Sequence, residues 1–213
     1  GIIRSATASG KSLMISYVMR ALFNRNKIRN AIIIVPSVGL VTQFYEDMQD
    51  YGMNMDMVGR VGDTWKEWDK PLVISTWQSL KNVPEQMQRM DCVVVDEVHG
   101  AKAKVLGELR QQAPNAKYRY GFTGTMPHNI LDRLQVMSYL GPVLKEYGSV
   151  ELAKLGYVAE CEISMVHVDY KDVVKGTYNE IKDICFNNPF RLGLIRDIIK
   201  NSDGNILLFV GKV

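Results

Sequence analysis

Cysteine is scarce in this 213-residue chain: Cys92, Cys161 and Cys185 are scattered and odd in number, so no disulfide framework is implied. Histidine is equally sparse. His99, His128 and His167 lie far apart, and no cysteine–histidine group has the spacing of a zinc site. No apolar run approaches the roughly 20 residues of a membrane span, and no secretory signal is visible. The expected setting is therefore intracellular and cytoplasmic, without membrane or zinc. Charge of one sign is not in excess either. A net +3 is too small to establish nucleic-acid binding by itself, and the basic stretch Arg25–Arg29 reads as a solvated helix end. Internal repeats and low-complexity segments are missing, and 46% hydrophobic with 23% charged residues is ordinary for a soluble globular protein.

What is present begins with a lysine in a turn between a short strand and an apolar helix: Ser5-Ala6-Thr7-Ala8-Ser9-Gly10-Lys11-Ser12. The pattern Gly-x-x-x-x-Gly-Lys-[Ser/Thr] wraps phosphates in successive backbone N–H groups, and the following helix points its positive end at them. Thr7, Ala8, Ser9 and Gly10 would form the wrap. Lys11 would reach the β- and γ-phosphates of ATP, and the Ser12 hydroxyl would bind Mg²⁺. Ser5 stands where the first glycine is usual, which leaves open a plain helix start that happens to read Gly-Lys-Ser.

The second element is the β-branched run Val93-Val94-Val95, preceded by Cys92 and followed by Asp96-Glu97-Val98-His99. Such a run suits a central parallel strand buried on both faces. Carboxylates at its end are costly unless they hold a cation or face a cleft, and ligands of open α/β sheets bind beyond the carboxyl ends of strands. Asp96 is assigned the magnesium, directly or through water, and Glu97 the activation of the attacking water. The alternative is a helix cap by Asp96 with Glu97 solvated.

Along the chain, strands and helices alternate, which predicts a doubly wound, mainly parallel α/β sheet. Strands are expected at residues 1–4, Ala31–Val35, Met57–Val61, Leu72–Ser75, 92–95 and Tyr118–Phe122. Helices are expected at residues 11–26, 38–51, 102–113 and 130–140, with Ser37 as an N-cap and Gly52 just past a helix end. Cys92 reads as core.

Taken together these motifs resemble the superfamily-2 helicases of the DExH group, and in wording most closely the recombination helicases of phages. Ala6–Ser12 and Asp96–His99 are similar to motifs I and II. Ile32–Ser37 with Leu40 and Gln43 resembles motif Ia, Ser75–Leu80 the next nucleic-acid-contacting motif, and Gly121–Pro127 motif III in a Thr-Gly-Thr form. The resemblance implies a RecA-like ATP-binding lobe and an ATP- and magnesium-dependent helicase or translocase. DNA is expected in preference to RNA, in recombination, repair or replication, in the host cytoplasm if the source is a phage. It implies sequence-independent backbone contacts at Pro36, Ser37, Gln43, Thr76, Trp77 and Gln78. Trp77 would stack on a base or pack in the core. His99, Thr123, Gly124 and Thr125 would couple the two sites, where the alternatives are a helix cap and a simple turn. Rival functions are the motor subunit of a restriction system, a RecA-fold ATPase that ignores nucleic acid, and a non-catalytic binding module.

The second half changes character. The first lobe is expected over residues 1–147, a connector over 148–161 punctuated by glycines and Pro142 just upstream, and the start of a second RecA-like lobe over 162–213. Within the latter, Glu162–Tyr170 alternates like a strand, helices are expected at 173–186 and 189–200, and 206–210 reads as a buried strand resembling motif IV. On this resemblance the chain is expected to be an internal piece of a longer helicase, lacking the arginine finger of the second lobe and hydrolysing ATP poorly by itself.

Overall fold

A computed structural model describes residues 1–62, 64–80, 83–100, 103–159, 162–167 and 176–209, with the side chains of residues 103 and 104 outside that description. The chain divides into two units, Gly1–Glu160 and Cys161–Val213.

The first unit is built on seven strands: β1 (Ile2–Ser5), β2 (Ala31–Val35), β3 (Val58–Val61), β4 (Leu72–Thr76), β5 (Cys92–Asp96), β6 (Tyr118–Thr123) and β7 (Val143–Tyr147). Their spatial order is β3-β4-β2-β5-β6-β1-β7, with every named pairing parallel. The centre is β2 and β5, whose residues are all buried. Continuous β-branched runs suit that position because both faces of a parallel sheet are covered.

Successive side chains of a strand point to opposite faces, and the core separates accordingly. Ile33 and Val94 pack with Ile15 and Met19 of α1 (Lys11–Asn24) and with Val41, Phe44 and Met48 of α2 (Val38–Asp50). Ile32, Ile34, Val93 and Val95 pack on the other side with Met87 of α3 (Pro84–Gln88), Leu106 and Leu109 of α4 (Ala103–Gln112), and Val136 and Leu140 of α5 (Ile130–Leu140). The sheet is thus doubly wound. Cys92 is fully buried, and burial together with the charge of Asp91 pushes its thiol up to about 12, so it is a neutral core residue. Ser37 caps α2, its hydroxyl accepting from the Leu40 amide, and Gly52 follows the helix at φ +71°.

Three expectations need correction. Residues 143–147, placed in the first lobe with no strand expected there, are an edge strand, β7: flanking Gly141-Pro142 and Gly148 disguise it, and its exposed Leu144 and charged Lys145 and Glu146 lack a buried pattern. It is pinned to β1 by an Arg4–Glu146 ion pair at 2.6 Å. Residues 162–167 pair with no strand and are exposed, and residues 168–170 lie outside the described residues. The expected strand at 206–210 is likewise unpaired and exposed over 206–209, with Val210 outside the description. A strand needs a hydrogen-bonded neighbour, and among the described residues of the second unit there is none.

The helix α6 (Ser149–Lys154) belongs to the first unit and buries Leu152. The second unit contains α7 (Tyr178–Phe186) and α8 (Pro189–Lys200), neither with a fully buried residue. The first of these starts at Tyr178 behind a capping box of Thr177 and Glu180, the Thr177 amide donating to Glu180 Oε2 at 2.8 Å, and the expected helical residues 173–175 lie outside the described residues. Asn188 caps the second, with Pro189 at its first position.

Candidate functional site

Register decides what meets at the carboxyl edge of the sheet. Val35 of β2 pairs with Thr76 of β4, Asp96 of β5 with Phe122 of β6, and Arg4 of β1 with Thr123 of β6. Reading along the edge, the order is Trp77-Gln78, Pro36-Ser37, Asp96-Glu97, the Thr123–Thr125 turn, and then the loop Ser5–Gly10. Elements far apart in sequence therefore leave the sheet side by side.

The loop holds two left-handed residues, Ala8 at φ 61° and Gly10 at φ 79°. Gly10 also stands at the N-cap of α1, with no side chain bonded over the first amides of the helix. Those amides have no intrahelical partner and can face an anion. The loop is tied internally: Ser5, fully buried, donates its hydroxyl proton to Ser9 Oγ across 2.6 Å, and the Ser9 amide reaches the Ala6 carbonyl at 3.3 Å. Serine at position 5 thus supplies a side-chain brace where glycine would supply none.

Lys11 Nζ donates to the Ala6 carbonyl at 3.4 Å and stands 3.4 Å from Glu97 Oε1. The ammonium does meet the second acid of the pair. Glu97 adopts φ 47°, a left-handed conformation that costs a non-glycine residue energy and persists where surrounding structure enforces it. Its second oxygen, Oε2, lies 3.2 Å from His99 Nδ1, and the same ring nitrogen is 2.9 Å from Thr123 Oγ1. Thr123 has a single hydroxyl proton, which goes to the Thr125 carbonyl at 2.7 Å. Toward His99 the Thr123 oxygen is therefore an acceptor, and Nδ1 carries the proton. A continuous polar chain runs from Lys11 through Glu97 and His99 to Thr123 and Thr125. Gly124 closes it against the loop: a Cβ there would stand 3.6 Å from Thr7 Oγ1. A cavity of about 330 Å³ opens between the two turns, lined in part by Ala6, Thr7, Gly124 and Thr125.

Asp96 is buried, and its Oδ1 has no hydrogen-bond partner. Burial, and then the neighbouring Glu97 charge, push its carboxyl up to about 6, while Lys11 and His99 pull the other way. An orphaned, buried carboxylate oxygen fits a cation. Among the described residues no group of three His, Cys, Asp or Glu can hold a metal alone. A magnesium ion needs none, because phosphate oxygens and water complete its shell around one or two protein ligands. The Ser12 hydroxyl, the other expected ligand, lies 3.0 Å from the Tyr51 hydroxyl. Nothing in sequence links positions 12 and 51; only the packing of α1 on α2 does.

The expected nucleic-acid contacts are placed unevenly. Ser37, Gln43 and Gln78 are exposed, Pro36 and Trp77 half-buried, and Thr76 buried with its hydroxyl 3.1 Å from Ser79 Oγ. Trp77 and Gln78 line a cavity of about 350 Å³ with Leu109 and Gln112 of α4, residues that motif reading did not single out.

The family model described as type III restriction enzyme, res subunit, matches residues 1–128, more than half of the chain. The chain belongs to that family. The chain is similar to the ATP-dependent DNA helicase uvsW of Enterobacteria phage T4, 26% identical over 179 residues that cover 80% of this chain and 35% of the phage protein. The crystal structure of the UvsW helicase from bacteriophage T4 superposes with TM-score 0.62 at 25% identity, covering 68% of this chain and 53% of that one. The Sulfolobus solfataricus SWI2/SNF2 ATPase core, solved with dsDNA, shares the fold at TM-score 0.55 and 20% identity, over 72% of this chain and 33% of that one. The fold of this res-subunit family member is that of the RecA-like superfamily-2 helicase domains. It spans about a third of the length of the curated relatives it matches.

Proposed function

We propose that this chain is the ATP-binding lobe of a nucleic-acid translocase or helicase that acts on DNA in preference to RNA. The observation that carries the proposal is the Lys11–Glu97–His99–Thr123 chain, set between the phosphate-type loop and the ends of β2 and β4. The Ala6–Gly10 loop and the first amides of α1 bind the phosphates, and Lys11 exchanges its contact with Glu97 for phosphate oxygen. Ser12 and Asp96 are the residues that would hold magnesium, which when bound neutralises phosphate charge. Glu97 accepts a proton from the attacking water. His99 and Thr123 take up the resulting change at Glu97 and pass it to the Thr123–Thr125 turn. Pro36, Ser37, Gln43, Trp77 and Gln78 offer a sugar–phosphate backbone amides and side chains at two adjacent strand ends. DNA is favoured because the phage relative is a DNA helicase and a fold neighbour was solved on dsDNA.

ATP turnover of the full-length protein, measured without and with single-stranded, duplex and branched DNA or RNA, tests this. DNA is expected to stimulate hydrolysis more than RNA. Glu97→Gln is expected to lower turnover by about a hundredfold or more, and Lys11→Ala to weaken nucleotide binding. Turnover indifferent to every polynucleotide would remove the motor assignment, and full activity in Glu97→Gln would remove the base. The family description favours a second reading, the motor of a restriction system. It shares all these residues, and ATP-dependent DNA cleavage would distinguish it.

A further inference from the structure

Tyr51 has no place in the scheme above, yet it touches the site. It ends α2, and α1 grips it at two points: its hydroxyl lies 3.0 Å from Ser12 Oγ, and its carbonyl accepts a hydrogen bond from the Arg20 guanidinium. Ser12 and Arg20 are two turns apart on α1, so the tyrosine spans that helix lengthwise. Its own amide is satisfied within α2 by the Asp47 carbonyl at 2.9 Å. The chain leaves through Gly52, at φ +71°, which lets the residue end the helix cleanly.

A serine hydroxyl has one proton and two lone pairs. To coordinate a cation it must present a lone pair and send its proton elsewhere. Without a fixed acceptor the hydroxyl rotates, and some of its orientations offer the proton to the cation. We infer that Tyr51 is the positioning residue for the magnesium ligand Ser12: its phenolic oxygen accepts the Ser12 proton and turns the lone pairs toward the metal, while Arg20 holds the tyrosine in place. This rests on the reading of the loop as an ATP–magnesium site. Groups that orient metal ligands from behind change metal affinity by about 10- to 100-fold when removed.

The test is a titration of the protein with mant-ATP, in EDTA and then at increasing Mg²⁺, for the native chain, Tyr51→Phe, Ser12→Ala and the double variant. Phenylalanine keeps the ring and its packing. Tyr51→Phe is expected to raise the Mg²⁺ concentration needed for half-maximal tightening about tenfold, with the metal-free affinity moved less than twofold. In the Ser12→Ala background the same substitution should add nothing, because there is no hydroxyl left to orient. Arg20→Gln, which frees the Tyr51 carbonyl and leaves its ring alone, should shift the magnesium requirement the same way by a smaller factor, and it keeps the question answerable if Tyr51→Phe fails to fold. An unchanged magnesium requirement in Tyr51→Phe, or an equal penalty with and without Ser12, overturns the role of Tyr51 alone. Nucleotide binding by the native chain that ignores magnesium overturns the ATP-site reading and this proposal together.

Discussion

Asp96 and Glu97 show what the site costs the fold. Burial holds the Asp96 carboxyl at about 6, against an ordinary value of 3.8, with one oxygen unpartnered. Because the folded value is raised, the metal-free folded state binds more protons than the unfolded chain between those two pH values. Stability therefore falls as pH rises from about 4 to about 6, and the penalty, on the order of 3 kcal/mol, is fully present above that. Asp96→Asn is expected to raise the melting temperature of the metal-free protein at pH 7 and to leave it nearly unchanged at pH 4. Thermal unfolding in EDTA at both pH values checks this, and an equal shift at both would break the link to ionisation. The same substitution should abolish magnesium-dependent nucleotide binding, a trade of function against stability. Glu97 adds backbone strain, at φ 47°. Its identity was readable beside a buried β-branched run; its conformation, which aims one oxygen at Lys11 and the other at His99, was not.

At the scale of elements, central and edge strands differ in how their residues announce them. Ala31–Val35 and Cys92–Asp96 are buried throughout and read plainly as strands. The edge strand Val143–Tyr147 carries exposed and charged residues between turn formers and reads as loop. Energetics should follow the same division. Ile33→Ala, at a fully buried position between α1 and α2, is expected to cost about 2–5 kcal/mol in urea unfolding. Leu144→Ala, at 60% exposure on the edge, is expected to cost less than about 1 kcal/mol. Equal costs would mean that the sheet is not centred on β2. Gly121 belongs to this scale as well: a Cβ there would lie 2.6 Å from Leu140 Cδ1, so the Leu140 side chain would have to shift to admit one.

Across the whole molecule, apolar burial is concentrated in the first unit, where two clusters sandwich the sheet. The described helices of the second unit bury no residue fully, and Phe190, Leu207 and Phe209 are exposed. Local opening is cheapest where few apolar contacts must break. Amide exchange is therefore expected to be fastest in Tyr178–Phe186 and Pro189–Lys200, and slowest in Ala31–Val35 and Cys92–Asp96. Mass-spectrometric hydrogen exchange reads this directly, and comparable protection in the two units would show that the second has a core of its own. The expected strands at 162–170 and 206–210 belong to this scale too. Alternation and apolar content satisfy a strand locally, but a strand exists only with a neighbour to take its backbone hydrogen bonds.

By itself, the order of residues determined the loop at Ser5–Ser12, the acid pair behind a buried run, the caps at Ser37 and Asn188, and the alternation that makes a doubly wound sheet. Those are local facts, set by spacing, side-chain volume and backbone preference within a few residues. Tertiary structure alone decided that β6 runs between β1 and β5, so that Thr123 lies between the loop and the acids. It alone placed Tyr51 against Ser12 and left Asp96 Oδ1 without a partner. Such contacts arise from the register of strands and the packing of helices, and they join positions that no short-range pattern connects.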